Sequence, residues 1–291
     1  MTTTSVRVER YSAFSDDPDG GNPAGVVLDA SQLSAAQMQR IAADIGYSET
    51  AFVTGPVSTE GPIPVRYFAP EGEVDFCGHA TIATAVAIGA TFGQGAYTLR
   101  TNAGPVGIVA RREGARAIGT LRSPGIDCFA LEPELLSQLL AGLHWSIQDL
   151  DPDLPPAIGF GGVRHPVLVV GDLERLKTLS YDFEALQRLC REQNWVTLQL
   201  VASVGLGQWR ARDPFPWGGV VEDPATGAAA AAFAGYLRSL GRAVSGDSFV
   251  ITQGVEMGRP SRIEVELLDD AALVSGAAAR IPPVAEANRD G

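Results

Sequence analysis

Positive charge is scarce in this 291-residue chain: 22 Lys and Arg stand against 34 Asp and Glu, for a formal net charge of -12. No basic run is longer than Arg111-Arg112. A nucleic-acid binder needs basic patches that neutralise phosphates, so that class is excluded. Long apolar runs are missing too. A membrane span needs roughly 18 uninterrupted apolar residues, and the run Ala228–Ala232 falls far short, so no membrane association is expected. The N-terminus, MTTTSVRVERYSAF, lacks the apolar core of a signal peptide. The three cysteines, Cys77, Cys128 and Cys190, form no C-x-x-C pair. That spacing suggests neither a zinc site nor a disulfide framework, and it fits a reducing cytoplasm. Histidine is limited to His79, His144 and His165. The last two have no spaced metal partner.

What is present is ordinary globular material, 45 % hydrophobic and 19 % charged. The length suits two lobes. Val6 and Val8 alternate with polar neighbours in a strand at 5–9. Asn22-Pro-Ala-Gly25 is a turn before Val26-Val27-Leu28. Met38, Ile41, Ala42 and Ile45 repeat at helical spacing over 34–45, and Gly46 follows where a left-handed cap is wanted. Residues 79–90 are apolar almost all round, which predicts a buried helix. Strands follow at 97–101, 105–111 and 116–122. Ser123–Phe129 reads as a looser stretch before a helix at 133–143, and the lobe boundary is placed there, dividing 1–124 from 125–291. A C-terminal strand near 277–286 is a candidate member of the first lobe.

The second half has helices at 173–178 and 183–193, strands near 195–203 and 208–213, a small-residue helix at 227–239, and strands near 248–253, 261–268 and 271–281. Arg66-Tyr-Phe-Ala-Pro70 precedes the first buried helix and Arg210-Ala-Arg-Asp-Pro214 the second. Strand, loop and buried helix recur in the same order, as in an internal repeat. Each lobe is then a curved sheet around one central helix, an α+β architecture.

Polar chemistry gathers at three glycine-rich segments: Gly46–Ala51, Asp75–Thr81 and Glu222–Ala228. The last two open the two buried helices. A helix start has unpaired N–H groups and a positive dipole end, so a buried one asks for an anion. Gly78 and Gly227 leave the backbone bare for a ligand. The competing reading is that Thr81, Thr226 or Asp223 caps its own helix. Glu49 enters the apolar strand Ala51-Phe52-Val53 and suits proton transfer near neutrality, although local sequence alone favours a surface glutamate at a strand start. His79, in the first turn of a buried helix, is expected to be neutral and able to pass a proton, or to serve as a structural cap. Asp223 is a second carboxylate at the opposite helix start. Cys77 is either a thiolate base or a buried inert thiol. Gly159-Phe-Gly-Gly162 lacks the spacing of a nucleotide loop. Tyr47, Trp209 and Trp217 are candidates for lining a substrate cleft.

Together these segments resemble the phenazine-biosynthesis PhzF-like isomerases of the diaminopimelate epimerase superfamily. The resemblance is carried by Asn22-Pro-Ala-Gly25, Ser48-Glu-Thr-Ala-Phe52, Arg66-Tyr-Phe-Ala-Pro70, Cys77-Gly-His-Ala-Thr81, Glu222-Asp-Pro-Ala-Thr-Gly227, Gln253-Gly254 and Gly258-Arg-Pro-Ser261. It implies two similar lobes, each a β-barrel around a central helix, with a cleft between them. It implies no metal, nucleotide or flavin, and a homodimer. It implies a cofactor-independent proton shift on a small carboxylate in secondary metabolism, with Glu49, His79 and Asp223 catalytic. Asn22, Gly78, Ala80, Thr226, Gly227 and Ala228 are then the substrate-binding positions. Where the phenazine isomerases are expected to carry serine after Thr-Gly, this chain has Ala228. Two alternatives stand beside this reading: an epimerase or racemase using Cys77, disfavoured because Asp223 occupies the second thiol's position, and a non-catalytic binding protein.

Overall fold

The computed structural model describes residues 6–283. Its first half runs β1 (Glu9–Ala13), β2 (Asn22–Val27), α1 (Ala35–Ile45), β3 (Glu49–Val53), β4 (Ile63–Ala69), β5 (Gly72–Val74), α2 (Gly78–Phe92), β6 (Gly95–Thr101), β7 (Gly104–Glu113) and β8 (Arg116–Arg122). The second half runs β9 (Ile126–Ala130), α3 (Pro133–Leu143), β10 (Ala157–Gly161), β11 (Arg164–Val170), α4 (Leu173–Lys177), α5 (Phe183–Gln193), β12 (Gln199–Gly205), β13 (Gln208–Phe215), β14 (Val220–Asp223), α6 (Gly227–Ser239), β15 (Ser248–Gln253), β16 (Ser261–Leu267) and β17 (Ala272–Arg280). No described helix is long and apolar enough to cross a membrane.

Local chemistry fixes the helix ends. Ser34 and Gln37 form a reciprocal capping box at the start of α1, and Gly46 ends it at φ 70. Helix α2 has no polar face to offer water, and every residue from His79 to Ile88 is buried. Helix α6 is buried continuously from Ala229 to Leu237. Neither can sit on a surface, so each must be enclosed by sheet.

The enclosure of α2 is a closed eight-stranded barrel in the order β1–β2–β3–β4–β6–β7–β8–β17, with β17 returning to β1. Around α6 the order is β9–β10–β11–β12–β13–β15–β16–β17. Its seam is stitched by Ser123 N to Ala272 O and Ile126 N to Asp270 O. Strand β17 therefore belongs to both barrels. Its first residues pair with β16, while Ala278 and Arg280 pair with Ala13 and Tyr11.

The internal repeat is deeper than the sequence pattern. Strands β2 and β3 are parallel, as are β4 and β6. Their counterparts β11 with β12, and β13 with β15, are parallel too. A short antiparallel strand, β5 or β14, precedes each central helix.

Some boundaries moved. The strand expected at 5–9 starts at Glu9, where pairing with Val26 begins, and Ser5 lies outside the described residues. The strand expected near 277–286 ends at Arg280, and 284–286 lie outside the described residues. The stretch at 123–129 contains β9, a short strand with one mostly exposed face and so little hydrophobic alternation. Gly159 and Gly161 are in β10. A Cβ on Gly159 would lie 2.9 Å from Ala232 O, and one on Gly161 would strike Ala228 O, so glycine here lets α6 lie directly on the sheet.

Candidate active site

Parallel pairing brings the first site residues to one rim. Ala24 of β2 pairs with Glu49 of β3, so Asn22 and Ser48-Glu49 emerge at the same end of adjacent strands. Helix α2 begins beside them. Glu49 Oε2 lies 3.3 Å from His79 Nε2 and accepts from the Cys77 thiol at 3.4 Å. Ser48 Oγ lies 3.2 Å from the same His79 nitrogen.

The second half supplies the opposing wall. The β13–β14 hairpin sets Asp223 against Asp213 and delivers it to the start of α6. Thr226 Oγ1 donates to Asp223 Oδ2 at 2.5 Å. Asn22 Nδ2, reaching across from β2, donates to Asp223 Oδ1 at 2.8 Å and to Ala225 O at 3.2 Å. The same nitrogen is 3.2 Å from His79 Nδ1. Asn22 thus joins the two walls.

The two helix starts face each other. A Cβ built on Gly78 would sit 3.9 Å from Gly227 Cα. Neither start has a side-chain cap: Cys77 and Thr226 occupy the cap positions without capping bonds. Thr226, read as a potential cap, spends its hydroxyl on Asp223 instead. Thr81, the other candidate, bonds backward to Cys77 O at 2.7 Å and meets the Tyr67 hydroxyl. Two dipole ends with bare N–H groups converge on one place, which favours an anion there. Ala80 is fully buried, and Ala228 is half-buried in the first turn of α6.

Burial separates the titrating groups. It holds the His79 imidazole below its ordinary value, against the opposing pull of Glu49, so the ring is neutral near pH 7. Desolvation pushes Asp223 up to about 7; the Thr226 and Asn22 hydrogen bonds restrain that rise, while Glu49 and Glu222 add to it. The Cys77 thiol is pushed well up, first by burial and then by Glu49, so it is protonated. Glu222 has a different task. Its carboxylate pairs with Arg212 at 2.6 Å, and Arg212 also donates to Lys177 O at 3.1 Å, which fixes the hairpin to α4.

Several contributors were not picked out from sequence. Gln253 donates to Asp223 O at 2.8 Å and Thr226 Oγ1 at 3.0 Å, and accepts from Thr226 N at 3.2 Å. Arg259 donates to Gly21 O and Gly20 O at 2.8 and 2.5 Å, bracing the loop before Asn22. Both lie in segments that carried the resemblance, without a role attached. Asp213 lies behind Asp223 and is fully buried. Thr197 donates to it at 3.1 Å and is itself 2.9 Å from His165 Nδ1. Oriented to donate, the Gln199 amide reaches both Asp213 oxygens at 2.9 and 3.0 Å. Burial, then the nearby Asp223, drives this carboxyl well above its usual range. The period-two alternation Ala211, Asp213 along β13 was the available signal. Trp209, a candidate cleft residue, instead packs edge-on against Phe233 at 4.9 Å. Trp217 stacks on Phe215 at 6.4 Å.

Comparison with known proteins identifies the family. The profile of the phenazine biosynthesis-like protein family matches residues 11–282. The chain is 37 % identical over 277 residues to a Deinococcus radiodurans protein named as an uncharacterized isomerase, covering 91 % of this chain and 88 % of that one. It is 36 % identical over 251 residues to the trans-2,3-dihydro-3-hydroxyanthranilate isomerase of Pseudomonas chlororaphis, covering 86 % of each. Among solved structures, a PhzF-family phenazine biosynthesis protein from Bacillus anthracis superposes with a TM-score of 0.83 at 26 % identity, covering 94 % of this chain and 96 % of the other.

Proposed function

The chain belongs to the phenazine biosynthesis-like protein family and is an isomerase, and from that premise we propose that it shifts a proton within a small conjugated carboxylate, without a cofactor. The observation that carries the proposal is the meeting of Glu49 and the His79–Asn22–Asp223 chain with two uncapped helix starts.

In this reading the substrate carboxylate binds on the open side of the facing starts of α2 and α6, against Gly78 and Gly227, with Ala80, Thr226 and Ala228 around it. Glu49 removes a proton from one carbon. The electron pair moves through the conjugated system, and the protonated Glu49, whose acid proton exchanges with solvent, delivers a proton to a second carbon on the same face. Developing negative charge on oxygen meets the unpaired N–H groups, and each such donor is worth about 3 kcal/mol in comparable sites. His79 is neutral and can donate to or accept from a polar substituent. Asp223, balanced near neutral pH, can hold or release a proton on the opposite side. The protonated Cys77 leaves Glu49 as the base, which disfavours a thiol-based epimerase.

The Pseudomonas chlororaphis relative is named for a carboxylate, and we take that compound, trans-2,3-dihydro-3-hydroxyanthranilate, as the probe. In deuterium oxide the wild-type chain should place deuterium on the product carbon. Glu49→Gln should lower the rate roughly 10²- to 10⁴-fold, the usual worth of a positioned acid–base group. An undiminished rate of isotope uptake in the variant sinks the role of Glu49. The proposal extends to a homodimer in the cytoplasm, which light scattering and cell fractionation test.

A further inference from the structure

Asp213 is a buried carboxyl that the proton shift does not use. It is fully enclosed and sits opposite Asp223 in the β13–β14 ladder. The two arginines before it in β13 are spent elsewhere, Arg210 on Glu256 at 2.7 Å and Arg212 on Glu222 at 2.6 Å. His165, reached through Thr197, is kept neutral by burial, its pKa down to about 4. An unpaired buried charge is costly, and a carboxyl so placed avoids it by keeping its proton.

Counting hydrogens locates that proton. Asp213 Oδ2 accepts from Thr197 Oγ1 at 3.1 Å and from the Gln199 amide at 2.9 Å. The same amide is 3.0 Å from Oδ1; with Oδ2 doubly supplied, Oδ1 carries the acid hydrogen. The Thr226 hydroxyl stands between the two carboxyls and contacts both. A hydroxyl has one hydrogen. Thr226 gives it to Asp223 Oδ2 at 2.5 Å while accepting from Gln253 at 3.0 Å. Toward Asp213 its oxygen only accepts, so the hydrogen of that contact comes from Asp213. We propose that Asp213 is the positioning residue of Asp223: it remains a carboxylic acid, and its hydrogen on the Thr226 oxygen turns the Thr226 hydrogen to Asp223.

The internal repeat puts this device at the rim of the site. Thr50 pairs with Phe68 in the first half, and Leu200 with Arg212 in the second. With Arg66–Pro70 laid on Arg210–Pro214, Gln199 corresponds to Glu49 and Asp213 to Ala69. The second half thus carries a neutral amide where the first carries its base, and a carboxyl where the first has none. The consequence for catalysis rests on the proton-shift reading: one proton stays on Asp213, and Asp223 alone exchanges with the polar groups of the substrate. The placement of the hydrogens does not rest on it.

Two measurements on the full chain, neither needing turnover, test the assignment. The charged or titrating groups that face the pair are Glu222 with Arg212, Glu49, Cys77 and His79 across the cleft, and His165; all are common to wild type and variants. Asparagine copies the acid form, with one donor side and one acceptor side. The folded chain keeps a proton on Asp213 that the unfolded chain releases above about pH 4, so this group makes stability fall as pH rises. In urea titrations between pH 5 and pH 6, the folded-to-unfolded ratio of the wild type should drop about tenfold more than that of Asp213→Asn. Carbon-13 NMR of labelled aspartate should show Asp223 titrating at the same pH in Asp213→Asn as in wild type. In Asp213→Ala, where Thr226 lacks that donor and its hydrogen is no longer held, the Asp223 titration should move alkaline by up to about one pH unit. Circular dichroism checks the fold of each variant. Equal pH slopes in wild type and Asp213→Asn overturn the assignment, as does loss of the fold in Asp213→Asn. An acid shift of Asp223 in Asp213→Asn would mean that a negative charge had been removed, and equal Asp223 titrations in the Asn and Ala variants would leave Asp213 a packing residue; either result is equally fatal. An absence of isotope exchange would count against the isomerisation reading and leave both measurements unaffected.

Discussion

Asn22 and Asp223 are 201 residues apart in the chain and 2.8 Å apart in the fold, amide nitrogen to carboxylate oxygen. The bond spans the two halves of the molecule. It also stabilises the charged form of Asp223, so it holds that group's pKa down against the burial that drives it up to about 7.

Removing the amide tests the balance. Asn22→Ala should move the Asp223 titration to higher pH, because the carboxylate loses a donor. A hydrogen bond to a charged group contributes about 1.5–3 kcal/mol, and about 1.4 kcal/mol corresponds to one pH unit. The titration should therefore move alkaline by at least about one pH unit. Carbon-13 NMR of labelled aspartate reads it directly; an acid shift contradicts the assignment.

Ala228 is the position where a hydroxyl is missing. It lies half-buried in the first turn of α6, beside the facing helix starts. Ala228→Ser should raise kcat/KM on the probe compound about fivefold, matching a hydrogen bond of about 1 kcal/mol. A neutral or harmful effect would show that the substrate does not reach that turn.

Gly161→Ala should be costly although it adds one methyl group. The new Cβ would meet Ala228 O and lie 2.8 Å from Ala232 N, so α6 must move away from β10. Overpacking of this kind costs about 1–3 kcal/mol. Urea unfolding should show the loss. Because the same helix start forms the site, probe binding should weaken too.

His165 gives a pH-dependent signature. It is fully buried against Thr197, and burial pushes its pKa down to about 4 from 6.5. Below pH 6.5 the unfolded chain takes up a proton that the folded chain refuses, so folding loses stability as pH falls towards 4. Between pH 7 and pH 5 this amounts to about 2 kcal/mol. Asp213 and Asp223 titrate in the opposite sense, but they do so in wild type and variant alike. His165→Asn should therefore lose about 2 kcal/mol less than wild type over that interval in urea titrations. Equal losses in the two proteins would refute it.

The most legible parts of the sequence were those whose signal is local. The all-round apolar character of residues 79–90 and 227–239 identified two enclosed helices, now α2 and α6, and Gly46 marked the end of α1. Glycine in β10 was opaque, because its reason lies in the backbone of α6, some 70 residues onward. Asp213 was opaque as well. In Arg210-Ala-Arg-Asp-Pro214 it looks like one charge among three, and only pairing with β12 and β14 reveals that its two arginine neighbours find partners in Glu256 and Glu222 while it turns inward. The approach of Cys77 to Glu49 is equally a product of long-range pairing, set by β2 beside β3.

The sharing of β17 has a consequence for how the molecule is made. The α2 barrel is closed by β8–β17–β1 pairing, yet β17 comes last in the chain among the described strands. When the ribosome has delivered everything up to β8, the barrel still has an open seam between its first and eighth strands. Unpaired strand edges of this kind template aggregation, and such long-range pairing is slow to form. Both barrels therefore depend on one strand that is delivered after all their other described members, and deletion of β17 would leave both unsealed at once.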